Sequence, residues 1–283
     1  MSNIDLRLGD CAEVLGSMES CTIDLVVTSP PYDNLRSYKG HGDSWTFDKF
    51  KDIARELYRV VKEGGMVVWV VGDATIDGGE SCTSFKQALY FVECGFKLFD
   101  TMIYEKSGCG ACGSNNSYIQ NFEYMFVLSK GEPKTTNLIY DRPNKITGAR
   151  TTATNRNVHD ADSGRKTREV VAKPMGRRFN IWKYNQTQGH DEFSSKHPAP
   201  YPLPLAIDHI RSWSNEGDLV LDPFNGSGTT GVACVQLGRD YIGIDIEESY
   251  LELARTRILG YQGITMVESK EGECSTFKKE SLF

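Results

Sequence analysis

Apolar residues recur along this chain in two periods, and the alternation of the two predicts the architecture. Ile23-Asp24-Leu25-Val26-Val27 is a short apolar run of the kind that forms a strand buried on both faces. Phe47, Phe50, Ile53, Ala54, Leu57, Val60 and Val61 follow at spacings of three and four, which predicts one face of a helix. Gly64-Gly65 are expected to end that helix, with 66–71 as the next strand. Phe85, Leu89 and Val92 predict another helix, and 96–104 and 122–128 read as strands, neighbours at one edge of a sheet. Further along, 205–213 reads as helix, 219–221 as strand, 228–237 as helix, 241–244 as strand and 250–259 as helix. Strands alternating with helices imply an α/β fold, a mostly parallel sheet with helices on both faces. No internal repeat is visible. The polar tail, 267–283, is expected to fray, although its Phe-containing end could dock.

One segment breaks this pattern and changes the meaning of the charge. The 283 residues hold 32 Lys/Arg and 38 Asp/Glu, a net −6, which on its face argues against a polyanionic partner. Residues 130–183 lack apolar periodicity, are rich in Thr, Asn, Arg and Gly, and carry thirteen Lys/Arg against five Asp/Glu. That local +8 leaves −14 on the rest of the chain. The segment reads either as a loosely held insert unable to build a core or as a surface that meets a polyanion. Trp182, at its end, is a core anchor or a contact of that surface. The expected organisation is a catalytic domain in two parts, 1–129 and 184–266, interrupted by the basic insert 130–183 and followed by the tail. No apolar run approaches the ~18–20 residues of a membrane span, and no basic-then-apolar leader opens the sequence. Eight cysteines are too sparse for a disulfide scaffold, so a reduced, cytoplasmic protein is expected. Cys109-Gly110-Ala111-Cys112 lacks the second pair or nearby His that a four-ligand zinc site needs. It reads as a flexible loop that could touch a partner, and no metal is expected.

Two short stretches carry candidate chemistry. Leu219-Val220-Leu221 runs into Asp222-Pro223-Phe224-Asn225-Gly226-Ser227-Gly228-Thr229-Thr230-Gly231. A strand, a glycine loop and a helix in that order let a ligand approach the backbone at a helix N-terminus. Gly226-x-Gly228-x-x-Gly231 matches the dinucleotide fingerprint, and Asp245, 19 residues after Gly226, is placed to accept from ribose hydroxyls. No Lys follows, so this is not a phosphate-binding P-loop. Asp222 sits where a pyrophosphate would be repelled. S-adenosylmethionine has no phosphate and carries an ammonium and a sulfonium, so an acid suits it; a turn or helix cap is the other reading of Asp222. The second stretch, Thr28-Ser29-Pro30-Pro31-Tyr32, follows the first strand. Its prolines fix the backbone and remove two amide donors, and Ser29 is pushed towards an extended conformation. A Ser29 acceptor, the Pro30 carbonyl and the flat Tyr32 ring suit a planar heterocycle held by its exocyclic amino group. Such hydrogen bonds draw the amino lone pair out of conjugation and favour attack on an electrophilic methyl group. A plain Pro-Pro turn with a half-buried Tyr is the alternative. Arg36 and Tyr38, just beyond, read as a lid over the base or as a solvated loop.

Together these motifs resemble the amino-methylating DNA methyltransferases of the β-type order, catalytic motif first and cofactor motif last. Ile242-Gly243-Ile244-Asp245-Ile246 is similar to their ribose-binding strand end, and Leu8-Gly9-Asp10-Cys11 to the strand end that meets the cofactor adenine. Lys196-His197-Pro198-Ala199-Pro200-Tyr201-Pro202 resembles the segment that closes over the methionine part. The resemblance spans about residues 6–259 apart from the basic insert, which occupies the family's target-recognition position. It implies a permuted Rossmann-like methyltransferase sheet, cut open between the ribose and adenine strands, so that Asp10, Asp245 and Ser29 meet at one carboxyl edge. It implies catalysis at Ser29, Pro30, Pro31 and Tyr32. It implies S-adenosyl-L-methionine bound by Asp10, Cys11, Thr28, His197 and Pro198, by Asp222, Pro223, Phe224, Asn225, Gly226, Ser227, Gly228 and Thr229, and by Asp245 and Ile246. The substrate implied is a base flipped out of double-stranded DNA, most simply N4 of cytosine, which Ser29 favours over N6 of adenine. A cognate restriction endonuclease and a homodimer are further implied partners. Carbon-5 methylation of cytosine would need a nucleophilic Cys, typically after a Pro, and none of the eight cysteines follows one. More distant readings are a methyltransferase of RNA or of a protein amide, and a catalytically silent DNA-binding relative.

Overall fold

The computed structural model describes residues 2–31, 45–107, 118–155, 166–193, 201–265 and 278–279. The chain forms two units, Met1–Asn137 with Asn180–Phe283, and Leu138–Phe179. The larger unit contains strands β1 (Ile4–Leu8), β2 (Ile23–Thr28), β3 (Val61–Val71), β4 (Lys97–Ser107), β5 (Phe122–Ser129), β6 (Ile181–Asn185), β7 (Leu219–Asp222) and β8 (Asp240–Asp245). Between them lie helices α1 (Cys11–Ser17), α2 (Phe47–Val60), α3 (Thr83–Glu93), α4 (Leu203–Trp213), α5 (Thr229–Leu237) and α6 (Glu248–Tyr261). The eight strands form one sheet in the order β1-β8-β7-β2-β3-β5-β4-β6. Strands β1, β8, β7, β2 and β3 pair in parallel, β5 is antiparallel to both its neighbours, and β6 runs parallel to β4. β1 therefore lies beside β8, with Leu8 opposite Asp245, and the two ends of the sequence pattern meet in the sheet.

Both faces are covered. Val26, Val67, Trp69 and Leu221 belong to a core cluster with Leu15 of α1, Phe50 of α2 and Phe91 of α3. Their alternate neighbours Leu25, Val27 and Val68 point to the opposite face and are equally buried. There α4, α5 and α6 pack in turn on one another and against β2, β8 and β1. No helix among the described residues is long and apolar enough to cross a membrane.

Three details differ from the sequence expectations. α2 ends at Val60, not at Gly64-Gly65: the extended Val61 closes it by donating to the Leu57 carbonyl. Gly64 (φ +80°) instead lies inside β3, where the register against β2 shifts. β4 and β5 are neighbours, but the edge strand is β6, which covers β4. α3 forms where expected, yet Phe85, Leu89 and Val92 are exposed, while Ser84, Gln87, Ala88 and Phe91 face the core.

The smaller unit has ordered backbone pairing of its own. Arg150–Asn155 pairs antiparallel with Lys166–Val171, and Arg142–Pro143 with Met175–Gly176. Arg178 donates to the Asp141 carboxylate at 2.8 Å, and the Arg142 guanidinium stacks over Phe179. Residues 130–137 and 180–183 belong to the larger unit, where Trp182 is a core residue packed against the His209 ring, with centroids 4.6 Å apart. Of the tail, Lys278–Lys279 pairs with Ile264–Thr265. Tyr32, Arg36, Tyr38, Cys109, Cys112, His197 and Pro198 lie outside the described residues.

Candidate active site

The site is built where β7 and β2 end side by side. Asp222, the last residue of β7, is 1% exposed. Its Oδ1 accepts from the Phe224 N–H at 3.0 Å and the Thr28 hydroxyl at 2.6 Å, and its Oδ2 from the Thr230 hydroxyl at 2.6 Å. Tyr201 in turn bonds the Thr230 hydroxyl. The carboxylate thus closes the turn after β7, the capping role, and ties it to the last residue of β2. Burial pushes its pKa up to about 6, although the Thr230, Thr28 and Phe224 hydrogen bonds favour the charged form; the nearby Asp245 adds to the rise. Pro223, Phe224, Asn225, Gly226, Ser227 and Thr229 line the described wall of a cavity; Asp222 stands behind it. Gly226 and Gly228 take φ of +49° and +75°, which only glycine adopts without strain. Gly231 serves packing: a Cβ there would stand 2.4 Å from Ile258 Cδ1.

The loop is braced from behind by α6. Arg257, 2% exposed, donates from Nη1 to the Ser227 carbonyl and the Thr229 hydroxyl, both at 3.0 Å, and from Nε to Asp191 at 2.7 Å. Asp245, at the end of β8, accepts from the Gly226 N–H at 2.8 Å and the Glu247 N–H at 3.0 Å. Burial raises its pKa against those two donors. The Asp245 carbonyl accepts from the Gly9 N–H at 3.0 Å, which brings the β1 end alongside. There Asp10 caps α1 by accepting from Ala12 and Glu13, and pairs with Lys49 of α2. Burial works to raise the Asp10 pKa, but Lys49 and the two amides outweigh it and hold the carboxyl below its usual range. Cys11 beside it is buried, and burial together with the Asp10 charge pushes its thiol up to about 12. It is no thiolate nucleophile near neutral pH.

The ends of β1, β7 and β8 meet at one cavity of about 360 Å³ at the carboxyl edge of the sheet, the usual position for a ligand in an open parallel sheet. Ser29, Pro30 and Pro31 line it, as do Asp10, Cys11, Asp245 and Ile246. Sequence patterns did not reveal Trp45, Lys49, Tyr104, Lys106, Glu123 and His190 in its wall. None belongs to a motif; Tyr104, Lys106 and Glu123 arrive on strands, Lys49 on α2, and Trp45 and His190 on connecting segments. Trp45 packs edge-on against Phe224, with ring centroids 5.3 Å apart. No group of three or more His, Cys, Asp or Glu among the described residues could hold a metal ion.

The cofactor end of this cavity is acidic. Asp245 and Glu247 face it, and Lys49, which also lines the cavity, is engaged by Asp10. Such a donor set repels a pyrophosphate and fits a nucleoside ligand with cationic ammonium and sulfonium groups. Buried Asp222 adds negative field behind the loop.

The fold and the cavity together define a nucleoside-dependent methyltransferase of the permuted kind. The DNA methylase family model matches residues 23–256, and the chain belongs to that family of N6- and N4-acting DNA methyltransferases. M.BamHII, an orphan methyltransferase of Bacillus amyloliquefaciens, is 49% identical over 245 residues, covering 85% of this chain and 90% of its own. M.SmaI, a type II methyltransferase of Serratia marcescens, is 27% identical over 89% of both chains. The S-adenosyl-L-methionine complex of a putative DNA modification methylase from Thermus thermophilus aligns with a TM-score of 0.60, 26% identity, and 92% and 95% coverage of the two chains. The PvuII DNA methyltransferase (cytosine-N4-specific) aligns with a TM-score of 0.69 over 92% of this chain and 87% of its own at 20% identity, a likeness of fold. The protein is a DNA amino-methyltransferase, and S-adenosyl-L-methionine is its cofactor.

Proposed function

We propose that the acceptor atom is N4 of a cytosine flipped out of duplex DNA. The observation that carries this reading is Ser29, a neutral hydroxyl at the head of the Pro-Pro turn, lining the cavity beside the glycine loop. When bound, S-adenosyl-L-methionine supplies an electrophilic methyl group. The chain's own contribution is positioning. Flipping costs a few kcal/mol of pairing and stacking. The Ser29 hydroxyl and the Pro30 carbonyl accept from the amino group and turn its lone pair away from the ring, and Tyr32 stacks on the base. The Thr28–Asp222–Thr230 network holds that acceptor pair in register with the loop carrying Phe224 to Ser227. Within residues 130–183, the unit Leu138–Phe179 serves as the target-recognition region and meets phosphate.

The test is direct. Duplex DNA of varied sequence is incubated with the protein and labelled cofactor, then digested to nucleosides for mass spectrometry. N4-methyldeoxycytidine is expected. N6-methyldeoxyadenosine alone would move the reaction to adenine and leave the residue roles standing, whereas no methylated nucleoside would refute the reading. Ser29→Ala is expected to lower kcat by about 100-fold or more, the loss typical of one well-placed polar group in an active site. Cofactor affinity should change less than threefold, as read by calorimetry. Equal loss of both would place Ser29 in cofactor binding instead.

A further inference from the structure

The cavity has a second end that the cofactor motifs do not use. Strand order divides it: β1, β8 and β7 bring the cofactor residues, β2 brings Ser29 and Pro30, and beyond β3 come β5 and β4. The register Thr28–Trp69–Phe126 links β2, β3 and β5. β5 runs antiparallel, so Glu123 lies three residues beyond that rung on the side where Pro31 lies three residues beyond Thr28. Two strand spacings separate the two positions, about 10 Å. That gap between the two backbones leaves room for one edge of a nucleobase together with the side chains that reach it from either side.

Across this gap from Pro31 stands an ion pair. Lys106 Nζ, near the end of β4, lies 2.5 Å from Glu123 Oε1, with the side chains 19% and 11% exposed. Both line the cavity. A pair this buried gains little over apolar side chains of the same size, because desolvation offsets the attraction, so stability alone does not account for it. Its chemistry complements a base edge. In cytosine and in adenine the amino-bearing carbon adjoins a ring nitrogen that accepts a hydrogen bond, N3 and N1 respectively. Ser29 and Pro30 supply only acceptors for the amino group, and the neighbouring ring nitrogen needs a donor.

We propose that Lys106, aimed by Glu123, donates to that ring nitrogen and fixes the orientation of the flipped base. The inference rests on the methyltransferase reading but is independent of which base is methylated. No proton is transferred; the ammonium binds and orients. Glu123 keeps the net charge of this wall near zero and holds Lys106 in one rotamer.

The experiment removes the acceptor from the base and the donor from the protein in turn. The methylated site is first located by sequencing DNA treated with the wild-type protein. Duplexes are then made with the target base intact or with its ring nitrogen replaced by CH, as 3-deazacytosine or 1-deazaadenine. Wild-type protein is expected to lose about 10- to 100-fold in kcat/KM on the deaza duplex, the worth of one hydrogen bond to a charged donor. Lys106→Met is expected to be slow on both duplexes, with their ratio within threefold of one. If Lys106→Met keeps the wild-type ratio, or if wild-type protein does not distinguish the duplexes, the proposal fails while the methyltransferase reading stands. If wild-type protein methylates no base, the underlying reading fails and takes the proposal with it. Should Lys106→Met not fold, by circular dichroism, Glu123→Gln repeats the test. It leaves Lys106 charged but unaimed and should lower the ratio at least threefold; an unchanged ratio overturns the proposal.

Discussion

Three donors converge on the Asp222 carboxylate, yet burial still costs its charged form more than they return. The folded pKa of about 6 stands above the unfolded value of 3.8. An acid raised in this way binds its proton more tightly when folded. Its contribution to stability is therefore fully present below about pH 4 and declines as pH rises to about 6, beyond which the whole cost is felt. Two pKa units correspond to at most about 3 kcal/mol, reduced by about 1 kcal/mol for a charge-assisted bond that an amide replaces less well. Asp222→Asn should thus melt higher than wild type at pH 8 and lose the decline between pH 4 and 6. Thermal melts across pH 4–8 read this. A variant that still declines over that window would assign the titration to Asp245, the other carboxyl whose pKa desolvation raises at this edge. Asp222 was legible in the sequence as an acid at a cofactor strand end. Its work as a tie between β7 and β2 was not, because Thr28 lies 194 residues away.

At the scale of elements, the glycine loop works because α5, α6 and β8 approach one another closely. A Cβ on Gly231 would meet Ile258 Cδ1 at 2.4 Å and Tyr241 Cε1 at 2.7 Å, neither able to withdraw from a packed interface. Gly231→Ala should cost about 1–3 kcal/mol by overpacking. Ile258→Val, which deletes the clashing Cδ1, should recover part of that loss in the double variant. Denaturant unfolding of the four proteins measures the coupling, and additive losses would contradict the proposed contact. The long elements were legible because their apolar faces are long: α2 buries Phe50, Ile53, Ala54, Leu57 and Val60 in the predicted stripe. Shorter ones were not. α1 has seven residues with only Cys11 and Leu15 buried, too few for a period to show. β6 alternates exposed Ile181, Lys183 and Asn185 with buried Trp182 and Tyr184, but it follows a basic stretch whose composition hid the alternation. In the site, residues next to glycines and prolines could be read because local backbone demands dictate them. Lys49, Lys106, Glu123 and His190 carry no local demand, and only the tertiary fold makes them neighbours.

At the scale of the whole molecule, the net −6 conceals a division of labour within the basic residues themselves. Lys130 donates to the Tyr58 and Val61 carbonyls at 2.6 and 2.9 Å, closing the end of α2, and Lys183 pairs with Glu105. Both serve the larger unit. Leu138–Phe179 retains ten Lys/Arg against four Asp/Glu, and Lys145, Arg150, Arg168 and Lys173 among them are exposed. If this unit meets phosphate, DNA binding weakens with salt because each contact releases a counterion, with a slope of about −0.9 per phosphate in a plot of log K against log salt. Replacing Lys145, Arg150 and Arg168 together by Gln should make that slope shallower by about 2–3 and weaken binding to every sequence alike, since phosphate contacts position without specifying. Lys130→Gln should leave the slope unchanged and lower the melting temperature instead, because it removes the cation that closes α2. Fluorescence anisotropy of a labelled duplex between 50 and 200 mM salt, beside thermal melts, separates the two effects. A triple variant with the wild-type slope would mean that the DNA surface lies elsewhere, and a Lys130 variant with a shallower slope would return that residue to the DNA-facing set.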